Sequence, residues 1–146
     1  MKSPLLFLLF IAFTKTTGLS CSCGPKPSVP DAFTAAHTVF AGRCISGTLL
    51  TKNTKDVKAF DQCQFTFRVT RTWKGGSDTK EVTVETGVGG GDCGYSFSIG
   101  ESYILYCYED SGTLKTHICT RTSVAEFEPH MDPQIKVLDE MKAMTK

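Results

Sequence analysis

The sequence predicts a mainly β, disulfide-bonded domain in which five short strands form a barrel with a helix at each end. Three observations predict this class. Short segments alternate apolar and polar residues, which is typical of half-buried strands. Clusters of glycine, aspartate and serine separate these segments and mark turns. All seven cysteines lie after residue 20, which indicates disulfide bonds in a small exported domain.

The first 20 residues predict a signal peptide. Lys2 gives a short positive start, and residues 5–13 form an apolar segment that is too short to span a bilayer. Gly18 and Ser20 are small residues of the kind that a signal peptidase accepts, so cleavage is expected after Ser20. The protein is then secreted and extracellular, and its mature chain begins with a free α-amine on Cys21.

Residues 21–146 are expected to form a single domain, because a chain of this length suits one hydrophobic core. Loss of Lys2 and Lys15 with the leader leaves 14 basic residues against 15 acidic ones, so no charge excess indicates a nucleic acid partner. No second apolar segment indicates contact with a membrane. The three histidines lack metal-ligand spacing and no catalytic motif is present, so we expect no enzymatic activity.

The elements of the domain follow in order along the mature chain. Ser28, Pro30 and Asp31 predict the start of a short helix that continues to Ala36, with Ser28 as its N-cap. Residues 132–133 open a C-terminal helix whose apolar positions, at helical spacing, are Ile135, Leu138 and Met141. The strands are predicted at 38–45, 64–71, 81–85, 102–108 and 114–119, with a hairpin loop at 50–58 and a turn at 73–76. This order fits an OB-fold-like Greek-key barrel, and a β-sandwich with a similar number of strands is the alternative.

Four sequence features occur together in an order that is typical of one family. They are the mature start Cys21-Ser22-Cys23-Gly24-Pro25, the strand end Val-Thr-Arg-Thr-Trp-Lys-Gly at 69–75, Cys93-Gly94-Tyr95, and Leu-Lys-Thr-His-Ile-Cys at 114–119. With these features the chain resembles the tissue inhibitors of metalloproteinases, and specifically their N-terminal netrin-like domain. The resemblance covers almost the whole mature chain and implies the same barrel fold.

The resemblance implies an activity and its mechanism. The protein would be a secreted inhibitor of zinc metalloproteinases of the matrix-metalloproteinase type, with no cofactor of its own. Disulfides Cys21–Cys93 and Cys23–Cys119 would hold the N-terminal segment beside the loop at 86–93. The amine and carbonyl of Cys21 would then bind the catalytic zinc of the protease and displace its water.

The resemblance also implies which further residues contact the protease. Ser22 would enter the primary specificity pocket of the enzyme. Three residues, Cys23, Gly24 and Pro25, would follow the cleft. An adjoining ridge would be formed by Gly91, Asp92 and Cys93.

The chain departs from the family in its other cysteines. The family has a third bridge whose first cysteine would fall near Thr34, where this sequence has none. Cys44 and Cys63 flank the first hairpin and can pair across it, which would leave Cys107 unpaired. We expect a monomer. A dimer linked through the unpaired cysteine is the alternative.

A second function is compatible with the same scaffold. The protein would then be a non-inhibitory netrin-like module that binds another extracellular protein or a polyanion. The two functions differ in what they require of Cys21. Inhibition needs a free amine there, whereas a binding surface elsewhere would tolerate added residues.

Overall fold

The structure is a computed structural model that describes residues 21–50, 61–76, 79–89, 91–125 and 132–145. The predicted signal peptide and all of the predicted hairpin loop except Leu50 lie outside the described residues. The elements are α1 (Val29–Ala35), β1 (Thr38–Leu49), β2 (Gln62–Lys74), β3 (Glu81–Gly87), β4 (Ser102–Asp110), β5 (Thr113–Lys115), β6 (Ser123–Val124) and α2 (Pro133–Met144). In these ranges, no helix has the length and apolar character needed to cross a membrane.

Strands β1 to β5 close into a barrel, which confirms the predicted fold class. Neighbouring strands follow the order β1-β2-β3-β5-β4, and β4 pairs back with β1. The β3–β5 pair is parallel, whereas the other pairs of the barrel are antiparallel. Strand β6, which the sequence pattern did not predict, adds a short pair at the start of β4.

Strand β1 contributes to two hydrophobic clusters because its successive side chains point to opposite faces. Three irregularities in its register with β2 bend it around the barrel. One cluster fills the barrel interior and contains Phe40, Cys44, Phe67, Val84, Phe97, Tyr103, Leu105 and Cys107. The other lies between the barrel and the helices and includes Val29, Phe33, Val39, Trp73, Ile104, Tyr106, Ile135 and Leu138.

Both helices begin where the sequence predicts. The Ser28 hydroxyl accepts a hydrogen bond from the Asp31 amide at 3.2 Å and caps α1, with Pro30 in the first turn. Asp132 caps α2 by accepting from the Gln134 amide at 2.9 Å. Asp139 then joins α2 to the barrel, because its carboxylate accepts from the Trp73 indole at 2.8 Å and pairs with an arginine of β2.

Three predicted strand ends were wrong by more than two residues. Strand β1 was predicted to end at residue 45 and continues to Leu49. Strand β2 continues through Lys74, so the turn predicted at 73–76 is confined to Gly75 and Gly76, which have φ values of 58° and 80°. The fifth strand ends at Lys115 and does not reach Cys119. The chain turns away there because the buried Thr116 hydroxyl bonds the Tyr106 carbonyl at 3.2 Å.

The expected pairing of Cys44 with Cys63 is wrong: both are free thiols, as is Cys107. In the β1–β2 register Cys44 lies opposite Phe67, whereas Cys63 lies opposite Leu49. Five residues along a strand correspond to about 16 Å, well beyond the Cα separation that a disulfide spans. Burial raises the pKa of the Cys44 thiol, and it raises that of Cys107 to about 12.

Candidate functional site

The N-terminal segment, defined here as residues 21–27, lies on the surface and is joined covalently to two loops. Cys21 is bonded to Cys93, and Cys23 is bonded to Cys119, each with a Cα–Cα distance of 5.2 Å. The two bridges touch, because the Cys93 and Cys119 sulfurs lie 4.0 Å apart. The residue between the two bridged cysteines, Ser22, is exposed. The two bridges therefore hold this exposed segment in one pose.

The bridges close loops of 72 and 96 residues in sequence separation. In the chain-entropy model each then stabilises the fold by about 4–5 kcal/mol. A further contact holds the other end of the segment, because the Arg121 guanidinium donates to the Pro27 carbonyl at 2.5 Å. Helix α1 begins two residues later. The segment is thus fixed at both ends while its middle stays exposed.

The loop after β3 is shaped by an internal carboxylate. One oxygen of Asp92 accepts from the amides of Gly89 and Gly94, both at 2.9 Å. A Cβ on Gly87 would lie 2.2 Å from the other Asp92 oxygen, and one on Gly94 would lie 2.1 Å from the Gly87 carbonyl oxygen. The glycines are therefore needed for close packing. Asp92 acts on the shape of this loop, because its carboxylate is directed into it.

The same loop is connected to its neighbours through the backbone of Cys93. This residue has a positive φ of 60°, and its carbonyl accepts from the Ile118 amide at 2.9 Å. The Tyr95 amide donates to the Thr86 hydroxyl at 2.8 Å. The Cys21–Cys93 bridge is consequently attached to a loop that is itself hydrogen-bonded on both sides.

Residues 117–119 form a third part of the site. The sequence analysis named Cys119 as the partner of Cys23, but it placed all three residues in a strand and so missed His117 and Ile118. The Cys119 amide donates to His117 Nδ1 at 3.1 Å, which shapes a turn. Ile118 is 48% exposed on this turn, beside the bridged Cys119. In the sequence, the available signal for this exposed position was an apolar residue directly before a bridged cysteine. The site thus consists of the N-terminal segment, the loop at 87–94 and this turn.

The cysteine sulfurs of the site lie close together but are committed to disulfide bonds. The sulfurs of Cys21, Cys23 and Cys119 lie within 4.8 Å of one another, yet all three are in disulfides and hold no metal as thiolates. Among the described residues the histidines are dispersed: His37 lies 3.2 Å from Glu109, and His117 lies in its turn.

A comparison with protein-family models shows to which family the chain belongs. The model of the tissue inhibitor of metalloproteinase matches residues 19–129, about three quarters of the chain. The chain belongs to this inhibitor family. A comparison with individual curated proteins found no match. The family consists of metalloproteinase inhibitors rather than enzymes, and its members are generally secreted.

Proposed function

We propose that this inhibitor acts on zinc metalloproteinases through a free N-terminus created by cleavage after Ser20. The observation that carries the proposal is the exposed N-terminal segment, held by the Cys21–Cys93 and Cys23–Cys119 bridges. A segment that is already ordered loses little conformational entropy on binding, so more of the interaction free energy appears as affinity. Cleavage and secretion are part of the proposal.

The α-amine and carbonyl oxygen of Cys21 are the atoms proposed to bind the zinc. They belong to one residue and can form a two-atom chelate at the open position of a catalytic zinc. Displacement of the zinc-bound water removes the nucleophile of the protease. The sulfur of Cys21 is committed to Cys93 and does not compete as a ligand. An ordinary α-amine has a pKa of about 7.7–8.0, so little free energy is needed to deprotonate it near neutral pH.

The flanking residues are proposed to contact the cleft of a matrix-metalloproteinase-like enzyme. Ser22 is exposed and directly follows Cys21, so it would enter the primary specificity pocket. Three further exposed residues, Cys23, Gly24 and Pro25, would extend along the cleft. The loop at 91–93 would contact the rim through its backbone, since the Asp92 carboxylate is engaged within the loop.

We propose a monomer as the working form. In the described ranges Cys44 and Cys107 are fully buried free thiols, whereas Cys63 is half-buried. A covalent dimer would therefore have to use Cys63. Burial and the nearby Asp92 and Asp61 carboxylates raise the pKa of this thiol, which disfavours the reactive thiolate.

The alternative function, a non-inhibitory module that binds a polyanion, has weaker support. A groove along β2 and α2 contains Arg71, Lys74, Lys80 and Lys142. Most of these cations are already engaged: Arg71 pairs with Asp139, Lys74 donates to the Phe33 and Thr34 carbonyls, and Lys142 donates to the Thr72 carbonyl. The contacts with carbonyls leave the lysine charges in place, but they occupy N–H donors that a polyanion would need.

An inhibition titration against a panel of zinc metalloproteinases tests the proposal. Oxidised protein beginning at Cys21 is compared with protein that carries one additional alanine before Cys21. The first should inhibit and the second should lose inhibition at least 100-fold, because the extension removes the amine from the chelating position. Equal inhibition by both would contradict zinc binding through Cys21. Absence of inhibition by both would favour the module.

A further inference from the structure

A pocket of about 300 Å³ adjoins the N-terminal segment at Pro27 and lies between α1, β4 and residues 117–121. Its walls are mainly apolar, and none of the described residues that line it is acidic. Its lining residues include Ala32, Ala35, Ala36, Tyr108, His117 and Arg121. This volume is at the lower end of the range of small-molecule sites.

Arg121 brings a positive charge to the pocket. Its guanidinium has five N–H donors. Nε donates to the Gln134 side chain at 3.0 Å, one terminal nitrogen donates to the Pro27 carbonyl, and the group also hydrogen-bonds the Tyr106 hydroxyl. No carboxylate of the described residues lies within 4.0 Å of this guanidinium. These three contacts fix the orientation of the group and leave donors for an anion.

His117 adds a second donor. Its Nδ1 accepts a hydrogen bond from the Cys119 amide, so the neutral ring carries its proton on Nε2. Desolvation lowers the pKa of His117, which favours this neutral form. The ring also lies against Tyr108, with centroids 5.4 Å apart, and this contact restrains its position.

We propose that this pocket binds a small amphipathic carboxylate. The apolar body of the ligand packs against the alanines of α1 and the Tyr108 ring, and its carboxylate pairs with Arg121. The Nε2 proton of His117 supplies a further hydrogen bond. Charge complementarity selects an anion over a neutral ligand, because an arginine–carboxylate contact is stronger than one between neutral groups. The proposal is independent of protease inhibition.

A titration followed by NMR tests the site directly, with 3-phenylpropionate as the probe and 3-phenylpropionamide as its neutral control. The oxidised protein beginning at Cys21 should bind the acid saturably, with a Kd on the order of 0.1–1 mM for a ligand of this size. The His117 ring and Ala35 methyl signals should move. The amide should bind about 10-fold more weakly. Equal binding of acid and amide, or shifts confined to another surface, would overturn the proposal.

Two neighbouring substitutions on α1 locate the ligand. Ala35→Phe places a ring in the pocket and should weaken binding of the acid at least 10-fold. Thr34→Phe changes a neighbouring exposed position that does not line the pocket and should leave binding unchanged. Equal affinities in the two variants would contradict the site. If Ala35→Phe fails to fold, as judged by circular dichroism, the comparison of acid with amide on the unsubstituted protein decides the question.

Discussion

The two ends of this domain are held in place by different physics. At the N-terminal end, exposed residues are fixed by two disulfides and by backbone hydrogen bonds. At the helical end, α1 and α2 are fixed by burial of side chains such as Phe33 and Leu138, which are 2% and 0% exposed. Covalent bonds order a segment without requiring it to bury its surface. The N-terminal segment can therefore be both rigid and available to a partner.

Removal of one bridge should have the largest effect. The double variant Cys23→Ser/Cys119→Ser removes one bridge while Cys21–Cys93 remains, so the loop that is opened spans only about 28 residues, and the free energy of unfolding should fall by about 3–4 kcal/mol. Inhibition should fall as well, because the segment must then be ordered on binding. Denaturant unfolding and inhibition titrations measure the two effects. Cys63→Ser, which changes a free thiol, should alter neither, and an undiminished inhibition constant in the double variant would contradict the role of the bridge.

Truncation of the helical core should change stability alone. Leu138→Ala removes a fully buried side chain and should cost about 2–5 kcal/mol. The inhibition constant of the folded protein should not change, because this residue belongs to the packed end. Met144→Ala, at a position that is 72% exposed, is the matched control and should be nearly neutral. A large loss of inhibition by folded Leu138→Ala would mean that the two ends are coupled.

A substitution in the loop at 87–94 should affect both stability and inhibition. Asp92→Ala removes the acceptor of two backbone amides and should destabilise the protein by about 1–3 kcal/mol. It should also weaken inhibition, because the loop carries Cys93. Asp92→Asn retains an acceptor oxygen and should recover most of both properties. Should Asp92→Asn weaken inhibition as strongly as Asp92→Ala, the charge itself would be the important feature.

Substitution of Ser22 should change inhibition and leave stability almost unaltered, which is the opposite of the result expected for Leu138→Ala. Ser22→Arg changes an exposed side chain and should alter stability by less than about 0.5 kcal/mol. Its inhibition constants should change by more than 10-fold and by different factors across a panel of metalloproteinases. Identical constants for all members of the panel would show that this side chain does not enter the specificity pocket.

The smallest effect concerns the pH dependence of stability. Desolvation lowers the pKa of His117 below its ordinary value of 6.5. The unfolded chain therefore binds a proton at a higher pH than the folded protein does, so this contribution is complete above pH 6.5 and is lost as the pH falls through the folded pKa. His117→Asn should flatten the decrease in stability between pH 6.5 and 5. An unchanged slope would mean that the decrease in stability comes from other titrating groups.

Local signals predicted the parts of the fold that depend on neighbours in sequence. The Ser28 cap and the alternation in β2 need only a few residues, and both were identified correctly. The end of β5 depends instead on Thr116, whose hydroxyl bonds the distant Tyr106 and Thr122. The prediction of a Cys44–Cys63 bridge was wrong for a related reason. The positions of two cysteines on either side of a loop do not fix the register of the strands that carry them.

The residues of the candidate site also divide into those that the sequence predicted and those that it did not. Cys21 and its exposed neighbours could be proposed from the resemblance, which rested on short ordered motifs. The inward direction of the Asp92 carboxylate and the exposure of Ile118 depend on contacts between loops that are far apart in sequence. Sequence patterns with a period of two or 3.6 residues carry no information about such contacts.

The most direct test of zinc binding through Cys21 uses a cobalt-substituted metalloproteinase, whose visible absorption reports the ligands of the metal. Addition of oxidised protein beginning at Cys21 should change the cobalt spectrum with the same titration midpoint as the loss of activity, because an amine nitrogen replaces water. Protein extended by one alanine should leave the spectrum unchanged. Full inhibition with an unaltered cobalt spectrum would contradict the account.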